Sequence, residues 1–121
     1  MKKILVVDDD RVMVEFMVEC LQRGGYRVDT AYNGVEGLAK AREVKPDLLI
    51  LDLMMPDMHG FDVCEALRQK DSDFSGKILI SSGKAYEVDK KAARRMGADQ
   101  YLVKPFTFEE LNAAVSGLLG R

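Results

Sequence analysis

The chain has 121 residues, 47% apolar and 31% charged, with a formal net charge of −2. That is an ordinary globular composition, fitting one domain over residues 1–121 that buries a core without disulfides or structural metal, and it offers no basic footprint for binding DNA or RNA. Met1-Lys2-Lys3 precedes only four apolar residues before three aspartates, and no apolar run is long enough to cross a bilayer, so neither a secretory signal nor membrane anchoring is expected.

Taken in order, strand and helix patterns alternate from end to end, as in a parallel sheet with helices on both faces. Ile4-Leu5-Val6-Val7 reads as a buried strand. Asp10 is placed to cap a helix running to Arg23, with Val12, Phe16, Leu21 and the methionines as its apolar face and Gly24-Gly25 as its stop. Arg27 to Ala31 is a short second strand. Asn33-Gly34 leads into a helix through Glu43, which Lys45-Pro46 ends because a residue before proline resists the α region.

Leu48 to Leu51 is the third strand, followed by a loop from Met54 to Gly60 and a helix from Phe61 to Gln69 that turns Phe61, Cys64, Ala66 and Leu67 inward. His59 reads as a surface loop residue, and Asp71 to Gly76 as a polar connection. Ile78 to Ser82 is the fourth strand. A charged helix spans Glu87 to Met96, with Gly97 just past its end. Tyr101 to Val103 is the last strand, and Thr107 with Glu110 predicts a capping box opening a final helix to about Leu119. Cys20 and Cys64 fall inside helices, in no CxxC or zinc spacing, which fits two buried, reduced thiols in a cytoplasmic protein.

Four of the five strands end in groups that bear chemistry. Asp8 and Asp9 follow the first, Asp52 the third, Ser82 the fourth and Lys104 the fifth. Singly, each has an ordinary structural reading, since an aspartate after a strand is usually a helix cap and Lys-Pro is usually a turn. Together they matter because ligands in open parallel α/β sheets bind outside the carboxyl ends of the strands, where strand order reverses.

Three carboxylates crowded there resist joint ionisation unless a cation neutralises them. Oxygen ligands without thiolate or imidazole favour a hard ion, Mg²⁺ with Mn²⁺ as substitute. Asp52, standing alone, is the candidate nucleophile toward phosphorus, with Lys104 and the Ser82 hydroxyl as donors to the phosphoryl oxygens. No GxGxxG or Walker lysine motif is present, so the phosphoryl donor is not a nucleotide cradled by this chain.

With these motifs the sequence closely resembles the receiver domain of two-component response regulators, from Ile4 to the final helix. The carrying segments are Ile4 to Asp10, Asp52 to Gly60, Ser81-Ser82-Gly83 and Gly97 to Phe106. The resemblance implies a flavodoxin-like, doubly wound (βα)5 fold, its five-stranded parallel sheet in order 2-1-3-4-5. It implies Asp52 as phosphoacceptor, Asp8, Asp9, Asp52 and the Met54 backbone carbonyl as Mg²⁺ ligands, and Ser82 and Lys104 as phosphoryl-binding groups. Ser82 and Tyr101 become the switch pair, and Lys104-Pro105 a cis peptide.

Function would follow as a phosphorylation-dependent signalling switch, not a turnover enzyme, taking phosphate from a sensor histidine kinase or phosphotransfer protein and losing it slowly to water. A downstream effector, or a second copy in a homodimer, would meet the face of the fourth helix, last strand and last helix. Ser82-Gly83 departs from the Thr-Ala of many relatives and frees the following loop. Met54 and Lys84, by resemblance, flank the route of the hydrolytic water.

Two other classes compete. Asp8-Asp9-Asp10-Arg11-Val12 fits the D-x-D-x-[TV] pattern of haloacid-dehalogenase-type phosphatases, which would make Asp8 the nucleophile and leave Asp52 without a task. An interaction module of the same fold that no longer takes phosphate is the other, against which the complete acidic set, hydroxyl and lysine argue.

Overall fold

A computed structural model describes residues 1–84 and 86–120. Five strands, β1 (Lys3–Val7), β2 (Arg27–Ala31), β3 (Leu48–Asp52), β4 (Lys77–Ser82) and β5 (Gln100–Val103), alternate with five helices, α1 (Arg11–Arg23), α2 (Gly34–Val44), α3 (Gly60–Leu67), α4 (Glu87–Arg95) and α5 (Phe108–Leu119). All strand pairs are parallel and the sheet order is β2-β1-β3-β4-β5, as the resemblance implied. The chain moves outward from β1 to β2, then crosses back to β3 on the other side. The strand order therefore reverses between β1 and β3, and ligands of open parallel α/β sheets bind outside the carboxyl ends of the strands at such a reversal.

Alternation along each strand sorts side chains onto two layers. Leu5, Val7, Leu49, Leu51, Ile78 and Ile80 pack against residues of α2, α3 and α4, including Ala41, Val63, Cys64, Leu67 and Ala93. Ile4, Val6, Leu48, Ile50 and Leu79 pack on the other face against Val14, Met17, Cys20 and Leu21 of α1 and Leu111, Ala114 and Val115 of α5. Every residue of β3 is buried, as expected of a central strand covered on both sides.

Helix termini follow the caps in the sequence. Asp10 accepts from the Val12 and Met13 amides at 3.1 and 3.2 Å, Asn33 from Glu36 at 2.8 Å, and Thr107 with Glu110 closes a reciprocal box. Lys104-Pro105 is cis. Cys20 and Cys64 are buried and free, and burial pushes the Cys64 thiol up to about 11. Among the described residues no helix is long and apolar enough to cross a membrane.

Several local expectations need correction. Val12 and Phe16 do not face the core: they are 75% and 38% exposed, because the buried stripe of α1 runs through Val14, Met17, Cys20 and Leu21. Phe16 instead sits 6.2 Å from the Phe106 ring. Helix α3 ends at Leu67, short of Gln69, and buries Val63 while Ala66 is only half-buried. Its N-cap is His59, half-buried, whose Nδ1 accepts from the Phe61 amide at 3.2 Å. The connection before β4 is anchored by buried Phe74, under the Arg68 guanidinium.

Close approach of α2 to the sheet sets opposite fates for two helical glycines. A Cβ on Gly37 would lie 2.6 and 2.9 Å from the two Val7 methyls, on a branched side chain with little freedom to turn away. A Cβ on Gly117 in α5 would meet nothing within 4 Å. Gly117→Ala should therefore stabilise the fold by about 0.5–1 kcal/mol through helix propensity. Gly37→Ala should destabilise it by about 1–3 kcal/mol, because overpacking outweighs the same propensity gain. Urea unfolding of both variants reads these signs directly.

Candidate functional site

The carboxyl ends of β1 and β3 carry the acidic groups. Asp8 is 1% exposed and Asp52 7%, while Asp9 is exposed, and carboxylate oxygens of all three lie within 4.8 Å of one another. Lys104, entering from the end of β5, brings Nζ to 2.7 Å from Asp8 Oδ2 and 3.3 Å from Asp52 Oδ1. Asp8 Oδ1 also accepts from the Asp10 amide at 2.9 Å. The fold thus brings together Asp8, Asp9, Asp52 and Lys104, from three strand ends separated by up to 96 positions in sequence.

Electrostatics follow from the crowding. Burial first, and then the neighbouring Asp8 charge, push Asp52 up to about 6, and Lys104 only partly offsets them. Burial works against the charged form of Lys104, but its hydrogen bond to Asp8 and the Asp52 and Asp8 charges prevail and hold its pKa above the usual lysine range. One ammonium thus bridges two of the three carboxylates.

Ser82 is 2% exposed at the end of β4, and its hydroxyl accepts from the Lys84 amide at 3.1 Å instead of contacting the acidic cluster. Half-buried Tyr101, on the sheet face of Ile80, donates its hydroxyl to the Lys84 carbonyl at 2.8 Å. Met54 lies two residues past Asp52 in the loop before α3, 52% exposed. Asp10, which the phosphatase pattern needs in the site, is committed to capping α1.

Two features escaped the sequence reading. Asp57, in the Met54–His59 loop, accepts from the Gly34 and Val35 amides at 2.9 and 3.0 Å and so ties that loop to the start of α2. The Val35 and Gly34 amides hold its carboxyl below the usual range. An acidic residue in a Pro-containing loop carried no hint of that distant partner. The second is Ser81, 0% exposed, whose hydroxyl is the one buried side-chain polar atom without a hydrogen bond among the described residues. A polar residue closing the apolar run Ile78 to Ile80 was the available signal.

The donor set fits a hard divalent cation. Asp8, Asp9 and Asp52 could hold a metal ion through oxygen alone, and no thiol or imidazole joins the cluster. Burial and the Asp8 charge push the Asp52 pKa up despite Lys104, so a cation at this cluster would relieve the repulsion.

Comparison with known proteins agrees with this geometry. The family model described as "Response regulator receiver domain" matches residues 4–116. The alkaline phosphatase synthesis transcriptional regulatory protein PhoP of Bacillus subtilis is 46% identical over 120 residues, covering 99% of this chain and 49% of that protein. Response regulator ArlR of Staphylococcus aureus is 41% identical over 121 residues, covering the whole chain and 54% of that protein. The chain therefore spans about half the length of the curated relatives it matches. Among solved structures, chemotaxis protein CheY4 of Vibrio cholerae superposes with a TM-score of 0.91 at 35% identity, covering 98% of both chains. A five-stranded sheet of this order, an acidic cluster at its switch point and a family match along nearly the whole chain lead to one assignment: the chain belongs to the receiver domains of two-component response regulators, a family of phosphorylation-dependent signalling domains.

Proposed function

We propose that residues 1–121 act as one cytoplasmic receiver domain in which Asp52 accepts a phosphoryl group from a sensor histidine kinase or a phosphotransfer protein and later yields it to water. The observation that carries this reading is the Lys104 ammonium held between Asp8 and Asp52, at 2.7 and 3.3 Å, inside a cluster of three carboxylates. An oxygen of Asp52 forms the new O–P bond as the donor's P–N bond breaks and its imidazole leaves with the electron pair. Lys104 is placed to turn from Asp52 to the arriving phosphoryl oxygens.

Asp8, Asp9, Asp52 and the Met54 carbonyl would hold Mg²⁺, or Mn²⁺ in its place. Such an ion supplies charge neutralisation for the carboxylates and for the phosphoryl oxygens. The chain's own contribution is orientation: the sheet register fixes Asp8 beside Asp52, and burial excludes competing solvent from both.

Lys84 gives the switch a mechanical link. Its amide is held by the Ser82 hydroxyl and its carbonyl by the Tyr101 hydroxyl. A Ser82 hydroxyl drawn to the phosphoryl group must release the Lys84 amide, and the displaced loop then weakens the hold on Tyr101. The change reaches the surface of α4, β5 and α5, where an effector or a second copy in a homodimer would read it. The domain catalyses its own phosphorylation and dephosphorylation and has no further turnover, which distinguishes a signalling domain from an enzyme acting on a separate substrate.

With acetyl phosphate and Mg²⁺, intact-mass analysis should find one added phosphoryl group, and peptide mapping should place it on Asp52. Asp52→Asn should abolish it. Label on Asp8 would instead support the phosphatase reading. A stability consequence is separable from the chemistry. Asp52 binds its proton more tightly folded, with a pKa of about 6, than unfolded, near the usual 3.8. The folded state thus holds the extra proton between those values, and stability falls as pH rises through that window. The loss is complete above pH ~6 and amounts to about 2–3 kcal/mol. Without divalent metal, Asp52→Asn should therefore be more stable than the parent at neutral pH by up to that amount, the gap closing below pH ~4. Chemical denaturation across pH measures it.

A further inference from the structure

We propose that Ser81 is a positioning residue for Asp52, its hydroxyl supplying the carboxylate with a second hydrogen-bond partner beside Lys104, directly or through one buried water. This rests on Asp52 being the phosphoacceptor.

Ser81 is placed for the task by the sheet. Asp52 of β3 and Ser81 of β4 are direct partners in the parallel register, and the Leu53 amide donates to the Ser81 carbonyl at 3.3 Å. Neighbouring strands lie about 4.8 Å apart, and register partners in a parallel pair point to the same face. Which face is fixed by alternation. Leu48 and Ile50 pack on the α1 and α5 side, so Asp52 follows them, and Leu79 packs there too, so Ser81 follows it. Ser82 takes the opposite face, with Ile78 and Ile80. Of the two adjacent serines, Ser81 therefore shares Asp52's side of the sheet.

Lys104 completes the enclosure. It starts beyond β5 and reaches Asp52 on β3 and Asp8 beyond β1, so its stem must cross the end of β4, where Ser81 lies. Ser81 is 0% exposed in this setting. Its hydroxyl has no partner among the described residues, a costly state for a buried polar group and one that native folds rarely leave unanswered.

Unused capacity sits nearby. Asp52 Oδ1 takes the Lys104 bond, while Oδ2 takes no donor among the described residues, and two of the three Nζ protons are used. Turning the Ser81 side chain between staggered rotamers, or placing one water between the groups, joins the orphaned donor to that free oxygen. The carboxylate is then held through Oδ2, leaving Oδ1, which bonds Lys104, as the oxygen free to react. That hold matters most when Lys104 turns to the phosphoryl group and no longer steadies Asp52.

The test compares Ser81→Ala, which deletes the hydroxyl without adding volume, and Ser81→Thr, which keeps it. Parent protein is first labelled with acetyl phosphate and Mg²⁺; absence of label on Asp52 would defeat the phosphoacceptor reading itself. Given labelling, Ser81→Ala should lower the maximal phosphorylation rate about tenfold, the effect of losing one hydrogen bond to a charged group, with little change in the donor concentration at half-maximal rate. Ser81→Thr should restore the rate to within about threefold of the parent. An Ala variant that labels at the parent rate would overturn the proposal, and a higher melting temperature for it would show that the hydroxyl was an idle buried orphan. A crystal structure of the parent protein covers the case of variants that fail to fold. Ser81 Oγ within hydrogen-bond distance of Asp52, or of a water bonded to it, supports the assignment; neither contact refutes it.

Discussion

Three carboxylates brought together at the ends of two adjacent strands, with a single lysine to offset them, form the constraint around which this domain is built. Hydrophobic packing fixes β1 beside β3 in a register that sets Asp8 next to Asp52, and burial then removes the water that would screen their repulsion. Such an arrangement is poised, because a proton, a divalent cation or a phosphoryl group changes its charge balance by an amount the surrounding structure must answer. Asp52 already shows the tension in its raised pKa of about 6. A crevice designed only for stability would replace one of these acids with an apolar residue.

The scaffold around this charge cluster is correspondingly tight. A Cβ on Gly60 would lie 2.5 Å from the Asp52 carbonyl oxygen, so only glycine lets α3 start directly against the end of β3. The loop between them is tied down at Asp57 by the amides that open α2, and its return is fixed by the Gly60 amide on the Leu53 carbonyl at 2.8 Å. The side of the site proposed to move is held differently. Ser82 and Tyr101 each bond the backbone of exposed Lys84, in a segment where Gly83 meets nothing a Cβ would touch. Backbone contacts are therefore close beneath Asp52 and sparse beside it, a contrast that suits the proposed switch around a fixed chemical centre.

Most of the fold was legible because strand and helix patterns were regular and the caps were chemically explicit. Asp10, Asn33 and Thr107 with Glu110 each mark a helix start that the structure reproduces. The acidic cluster was legible for a related reason, since strand ends in a parallel sheet share one edge. What escaped depended on direction and distance. Val12 and Phe16 match a helical apolar spacing, but the helix phase relative to the sheet is set by Val14, Met17 and Leu21, and no count of apolar residues reveals which stripe wins. Asp57 meets amides more than twenty positions away, and Ser81 differs from Ser82 only in which face of β4 it occupies. The roles proposed for Met54 and Tyr101 rest on the resemblance, since the bare pattern held no sign of them.

If the acidic crevice is an unbalanced charge cluster awaiting a hard cation, magnesium must stabilise the native state, because the unfolded chain holds no such arrangement. Differential scanning calorimetry at neutral pH with rising Mg²⁺ tests this most directly. The melting temperature should climb with the logarithm of magnesium concentration once the site's dissociation constant is passed, and Asp8→Asn should flatten the climb. A melting temperature indifferent to magnesium, or one that rises equally in the Asp8→Asn variant, would contradict the account at its base.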